Sequence, residues 1–172
     1  MKNLITILCL FLFSCGDNLI EDVIERYDDG KLKTVNYYRK VSDNQELVRK
    51  RDYHENGKIE KEENFKDGNL NGKSTIYYEN GQILKEENYK DGNLDGKSNI
   101  YYENEQIYKE ENYKDGNLDG KRTLYYYGNK IAYEENYKDG ILDGKRSMYD
   151  ENGQIEFEEN YLDGELIETK EY

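Results

Sequence analysis

Tyr77-Tyr78-Glu79-Asn80-Gly81-Gln82-Ile83-Leu84-Lys85-Glu86-Glu87-Asn88-Tyr89-Lys90-Asp91-Gly92-Asn93-Leu94-Asp95-Gly96-Lys97 returns, little changed, 24 residues later and again 24 after that. Its Tyr77 and Ile83 map onto Tyr101 and Ile107, Tyr125 and Ile131, and Tyr149 and Ile155, and back onto Tyr53 and Ile59. The triplet Glu-Glu-Asn recurs at 62–64, 86–88, 110–112, 134–136 and 158–160. A fixed period of this length marks a repeat architecture, in which each unit buries apolar surface against its neighbours. A degenerate copy in Tyr27-Asp28-Asp29-Gly30-Lys31-Leu32 is out of phase, because Gly30 and Gly57 are 27 residues apart. That offset predicts a longer loop near Ser42-Asp43-Asn44.

Each unit carries two turn signals. Glu-Asn-Gly-Gln reads as a short hairpin turn of two or three residues, its Gly free to take positive φ. Asp-Gly-Asn-Leu-Asp-Gly reads as a longer loop with a glycine at each half. Segments of about seven to nine residues lie between them, a normal strand length. Short strands joined only by tight turns run antiparallel beside one another. The predicted fold is all-β: a single-layer antiparallel β-meander of stacked 24-residue hairpin repeats. About a dozen strands at roughly 4.8 Å each would make a ribbon about 60 Å long. Alternation puts Ile83, Lys85, Glu87 and Tyr89 on one face and Leu84, Glu86, Asn88 and Lys90 on the other. The Ile83 and Tyr89 positions stay apolar or aromatic through the units, so the Ile/Tyr face is expected to be the buried one. The partner strands offer Ile76-Tyr77, Ile100-Tyr101 and Leu124-Tyr125, so some aromatics fall on the second face; the length of the Asn-Gly turn decides which.

Of the 172 residues 37% are charged, and mean hydropathy is -1.17, yet there are 19 Tyr and no Pro. Tyr is a strong strand former with a large apolar ring, so an ordered, polar-surfaced β-protein is expected rather than a disordered one. The first residues differ. Lys2 is followed by an uncharged run from Leu4 to Phe13, too short to span a bilayer but the length of a signal-peptide core. Leu12-Phe13-Ser14-Cys15 resembles a bacterial lipobox, with Cys15 as the residue that receives the lipid. The expected organisation is a signal at 1–14, a tether at 15–23 and a repeat domain at 24–172. Cys9 leaves with the signal, so no free thiol remains for a disulfide, a metal or a nucleophile. Loss of Lys2 takes the formal net charge from -13 to -14. Such a chain is repelled by nucleic acid and by anionic headgroups, which leaves the N-terminal lipid as the membrane contact.

The repeated unit resembles the variant MORN repeat, found in bacterial proteins grouped as YwqK-family antitoxins, over about residues 24–168. The resemblance implies a single-layer sheet of stacked hairpins and a binding role. An export signal sits poorly with neutralising a toxin in the cytoplasm.

No catalytic set emerges. Asp91-Gly92-Asn93-Leu94-Asp95-Gly96 matches the first half of a calcium-binding EF-hand loop, but its twelfth position is Tyr102 rather than a bidentate Glu. A polar turn is the simpler reading, and no metal or cofactor is expected. The Glu-Glu-Asn columns supply many near-identical carboxylates, whereas acid–base catalysis needs one pair in unlike surroundings. They are expected to form solvated lines, Glu87, Glu111 and Glu135 on one face and Glu86, Glu110 and Glu134 on the other. Lys85, Lys97 and Lys121 would pair with them across strands. His54 stands in the slot of Tyr78 and Tyr102 and is expected to be a strand residue. Tyr77, Tyr89, Tyr101, Tyr113, Tyr125 and Tyr137, with Glu87, Glu111 and Glu135, form the candidate binding surface, since exposed aromatic rows mark interfaces. The function expected is a non-enzymatic, lipid-anchored envelope scaffold, periplasmic or at the cell surface. Its partner would be a protein, an exported toxin being one case. A glycan- or calcium-dependent surface module is the alternative.

Overall fold

The computed structural model describes residues 19–172, so Cys15 and the expected signal lie outside the described residues. Every element is a strand: β1 Leu19–Arg26, β2 Leu32–Val41, β3 Asn44–Tyr53, β4 Ile59–Lys66 and β5 Asn69–Tyr77. There follow β6 Ile83–Lys90, β7 Asn93–Tyr101, β8 Ile107–Lys114, β9 Asn117–Leu118 and β10 Gly120–Tyr125. The chain closes with β11 Ile131–Lys138, β12 Ile141–Leu142, β13 Gly144–Tyr149, β14 Ile155–Leu162 and β15 Glu165–Glu171. They form one open antiparallel sheet in chain order, with the two-residue β9 and β12 pairing β8 and β11 beside the main path. The expected meander is the observed fold. Its first strand opens at Leu19, so the sheet takes in residues 19–23 that the sequence assigns to a tether.

The two edges of the ribbon are built by different turns. At one edge the Asn-Gly connection has three residues: Tyr78 N–H bonds the Gln82 carbonyl (2.9 Å), and Gly81 N–H bonds the Tyr78 carbonyl (2.8 Å). Gly81 then sits at φ 90°, the left-handed position that ends such a loop. At the other edge the expected longer loop is not found. Asp91 (φ 49°) and Gly92 (φ 88°) alone make the connection, with Lys90 and Asn93 already paired. Two successive positive φ values define the twist-matched two-residue turn for which Asp-Gly is the preferred dipeptide. Asn-Leu-Asp-Gly therefore belongs to the next strand, where the register shifts between Glu87 and Tyr89. The loop expected near Ser42-Asp43-Asn44 is likewise a tight turn, since Val41 already pairs with Asn44. Ten-residue strands β2 and β3 absorb the longer offset instead.

The register shift explains the Asn of Glu-Glu-Asn. Asn88 Nδ2 donates to the Lys97 carbonyl at 2.8 Å, and Asn64, Asn112 and Asn136 make the same bond to Lys73, Lys121 and Lys145. Each amide replaces a ladder bond that the bulge removes. Gly96 (φ 107°) lies against it, a Cβ there falling 3.5 Å from Asn88 Cβ.

Successive hairpins are also joined along both edges. Gly92, Gly116, Gly140 and Gly164 N–H groups bond the carbonyls of Leu70, Leu94, Leu118 and Leu142. At the other edge Tyr78, Tyr102 and Tyr126 hydroxyls donate to the carbonyls of Tyr101, Tyr125 and Tyr149 (2.7–3.1 Å). His54, in the same slot, places Nε2 3.0 Å from the Tyr77 carbonyl and so takes the place of a tyrosine.

A single layer has little interior. Among the described residues its apolar core is only Val35, Tyr37 and Ala132. The most buried repeating positions are polar: Glu63, Glu87 and Glu111 at 9%, 8% and 5% exposure, with Ser74 and Ser98 beside them, and Thr75 and Thr123 on the opposite face. Two expectations are thereby corrected. The Glu line is not solvated, and the Ile/Tyr positions flanking it are only half-buried. A Glu at mid-strand in the middle of the sheet is overlain by neighbours on both sides, whereas Ile83 and Tyr89 stand at the two turn-proximal ends of β6.

Candidate functional site

The register separates the tyrosines. Ser74 faces Glu87, Thr75 faces Glu86, and Tyr77 faces Ile83 across a one-residue bulge. One face therefore carries Tyr89, Tyr113 and Tyr137, which donate to Glu87, Glu111 and Glu135 on the same strands, each at 3.2 Å. The opposite face carries Tyr101, Tyr125 and Tyr149, which reach across to Glu86, Glu110 and Glu134 (3.3, 2.7 and 3.4 Å). Tyr77 lies on this second face. The six tyrosines read from the sequence as one surface are thus two rows of three, back to back. Only Tyr89, Tyr113 and Tyr137 keep company with Glu87, Glu111 and Glu135. Glu86, Glu110 and Glu134, which complete the second row, are not among the residues singled out from the sequence as binding.

The phenols of Tyr89, Tyr113 and Tyr125 are held neutral. Burial, then the Glu87 carboxylate, pushes Tyr89 up to about 12. Burial and Glu111 do the same to Tyr113, and burial with the Glu110 hydrogen bond brings Tyr125 to about 12. A neutral phenol beside an ionised carboxylate is a donor already in use, so each row offers ring surface and residual carboxylate charge rather than free hydroxyls.

The carboxylates are matched by cations in a pattern that changes along the ribbon. Lys61, Lys85 and Lys109 pair with the Glu two residues on, at 2.6, 2.6 and 2.9 Å. Lys73, Lys121 and Lys145 pair across strands with Glu86, Glu134 and Glu158. In the last two units the Lys109 slot becomes Tyr133 and Phe157. There Ser74 and Ser98 are replaced by Arg122 and Arg146. Arg122 bridges Glu111 and Glu135 (3.3 and 3.5 Å), and Arg146 bridges Glu135 and Glu159 (3.2 and 3.1 Å). The Arg146 guanidinium also lies over the Tyr133 and Phe157 rings at 5.9 and 5.7 Å. The cation moves to the facing strand when its original slot turns aromatic, because a poorly hydrated carboxylate needs a partner.

The motif resembling half a calcium loop is a turn followed by a strand. Asp95 and Asp119 side chains accept from the backbone N–H of Asp115 and Asp139 in the next turn (3.4 and 3.3 Å), a structural duty. Among the described residues no group of three or more His, Cys, Asp or Glu is placed to hold a metal.

A third aromatic group escaped the sequence reading. Tyr102 stands edge-on to Tyr108 and to Tyr127, at 5.2 and 5.4 Å between centroids. The available signal was that Tyr108 and Tyr127 break the repeat, standing where Leu84 and Glu103 stand one unit before.

No curated protein matches the chain. The MORN repeat variant matches residues 49–67, 70–91, 94–115, 118–139 and 142–163. The last four spans each begin just after one Asp-Gly turn and end in the next, so the family's unit is the hairpin built around the three-residue turn. Such repeats commonly serve as protein- or membrane-binding modules and are generally non-catalytic. With these matches covering more than half of its length, the chain belongs to the MORN repeat variant family.

Proposed function

We propose that this protein is a non-enzymatic binding scaffold of the bacterial envelope, tethered through a lipid on Cys15, which engages a protein partner on its Tyr–Glu rows. The observation that supports it is the single open sheet, whose two faces each carry an unbroken row of half-buried tyrosines held against carboxylates. Rows repeat once per hairpin, about 10 Å apart at roughly 4.8 Å per strand. A rigid, regularly spaced aromatic surface suits contact with an extended partner, because rings contribute large area at little entropic cost. An exported toxin neutralised at the envelope is one such partner, which would make the protein an immunity-type lipoprotein.

Affinity capture of envelope proteins on the mature chain tests the scaffold. A partner retained by the parent and lost with Tyr101→Ala/Tyr125→Ala or with Tyr89→Ala/Tyr113→Ala supports it and names the face. Identical capture by all three chains refutes it. The tether is tested separately, by metabolic labelling with an alkynyl fatty acid: label on the parent and none on Cys15→Ser is expected, and an unlabelled parent overturns the anchor.

A further inference from the structure

The edge of the ribbon built by the three-residue turns departs from its own repeat at one place. Across the units, the Tyr108 slot holds Glu60, Leu84, Ala132 and Glu156, and the Tyr127 slot holds Glu55, Glu79, Glu103 and Glu151. Only here do both become aromatic. Tyr108 is 38% and Tyr127 70% exposed. Tyr102 is fixed between them, its hydroxyl donating to the Tyr125 carbonyl at 3.1 Å, so the outer two rings are presented to solvent from a held centre. The Gly128 N–H donates to Gln106 Oε1 at 3.0 Å, tying the fourth unit's turn to the third. Glu105 stands where Gly57, Gly81 and Gly153 stand and takes φ 65°, a conformation disfavoured for a side chain of this kind. Strain of this sort is retained where the side chain is wanted.

The chemistry of the neighbourhood is anionic. Glu79, Glu103 and Glu105 are exposed on the third unit's turn and the one before it, in a chain of net charge -13. The nearby cation Lys130 is engaged with the Glu151 carbonyl at 2.7 Å. Exposed ring faces beside carboxylates attract a guanidinium or ammonium by quadrupole and charge together. We infer that the Tyr102–Tyr108–Tyr127 cluster is a docking site for an Arg or Lys side chain on a basic segment of a protein partner. The inference names a partner chemistry for the scaffold proposed above and rests on that reading for its biological use. The cation lies against the exposed Tyr127 or Tyr108 ring, with Glu103 and Glu105 as counter-charges.

The test is fluorescence anisotropy of labelled octa-arginine against the full mature chain at low salt, beside octa-glutamate and a neutral chito-oligosaccharide. Octa-arginine is expected to bind, and Tyr127→Ala and Tyr108→Leu each to weaken it about 3- to 10-fold, the scale of one cation–π contact. Glu105→Gly should weaken it as well, while Glu156→Gln, which removes the same charge elsewhere, should not. Tyr127 is exposed enough that its truncation leaves the sheet intact. The inference is overturned if all acidic-to-neutral changes act alike while Tyr127→Ala does nothing, or if the tyrosine changes abolish oligosaccharide binding instead. Because the probe is synthetic, Tyr127-dependent binding stands even if affinity capture finds no partner, and the two ideas fail separately.

Discussion

Replacing Glu105 by Gly should make the protein more stable. At φ 65° the Glu105 side chain is forced against its own backbone, whereas the equivalent Gly57, Gly81 and Gly153 sit at 85–90° without a Cβ to clash. The left-handed conformation costs an L-residue roughly 1–2 kcal/mol. Glycine returns about 0.5–1 kcal/mol of that through its greater freedom in the unfolded chain. The net gain is about 0.5–1 kcal/mol, which for a sheet of this size raises Tm by about 1–4 °C. Thermal and urea unfolding followed by far-ultraviolet circular dichroism read this directly. Glu105→Ala is the control: it keeps a Cβ in the same conformation and should gain little. The reverse change, Gly81→Ala, should lose stability, since a Cβ there also falls 3.3 Å from Lys58 Cδ. A Tm for Glu105→Gly at or below the parent's, with Gly81→Ala unchanged, would refute the reasoning. If the cluster binds a cation as inferred, the same variant is more stable and binds worse, the trade-off expected where strain serves function.

Asn88→Ala removes the amide that fills the gap in the ladder at Lys97, and unfolding should be easier by about 1–2 kcal/mol; Asn88→Asp, which cannot donate, should not rescue it. Arg146→Ser leaves Glu135 and Glu159 without their shared cation, and adding Phe157→Lys should restore part of the loss by recreating the arrangement at Lys109; strictly additive effects in the double-mutant cycle would count against the compensation. Tyr89, Tyr113 and Tyr125 titrate in the fold at about 12, above the ordinary 10 of the unfolded chain. The native state therefore resists losing these protons: stability is held below pH 10 and falls as pH rises towards 12. Phenolate absorbance near 295 nm and the sheet's dichroism should change together in that range; full ionisation near pH 10 with the sheet unaltered would contradict it.

The repeat period, the Asp-Gly and Asn-Gly dipeptides and the run of Tyr determine an antiparallel ribbon from sequence alone, because tight turns leave consecutive strands nowhere else to go. His54 as a stand-in for a tyrosine, and Glu86 and Glu87 on opposite faces, are legible in the same way, since alternation within one strand is a local rule. What lay beyond reach was register. Side chains alternate with a period of two, so the length of the turn at Glu79-Asn80-Gly81 and the bulges at Leu84 and Gly96 decide which tyrosine meets which carboxylate, and one residue either way inverts a row. Burial of Glu87 between Ser74 and Ser98, and the meeting of Tyr102 with Tyr127, follow from pairing along the sheet. They join residues that the chain separates by a whole strand or a whole hairpin, and only the assembled sheet brings those neighbours together.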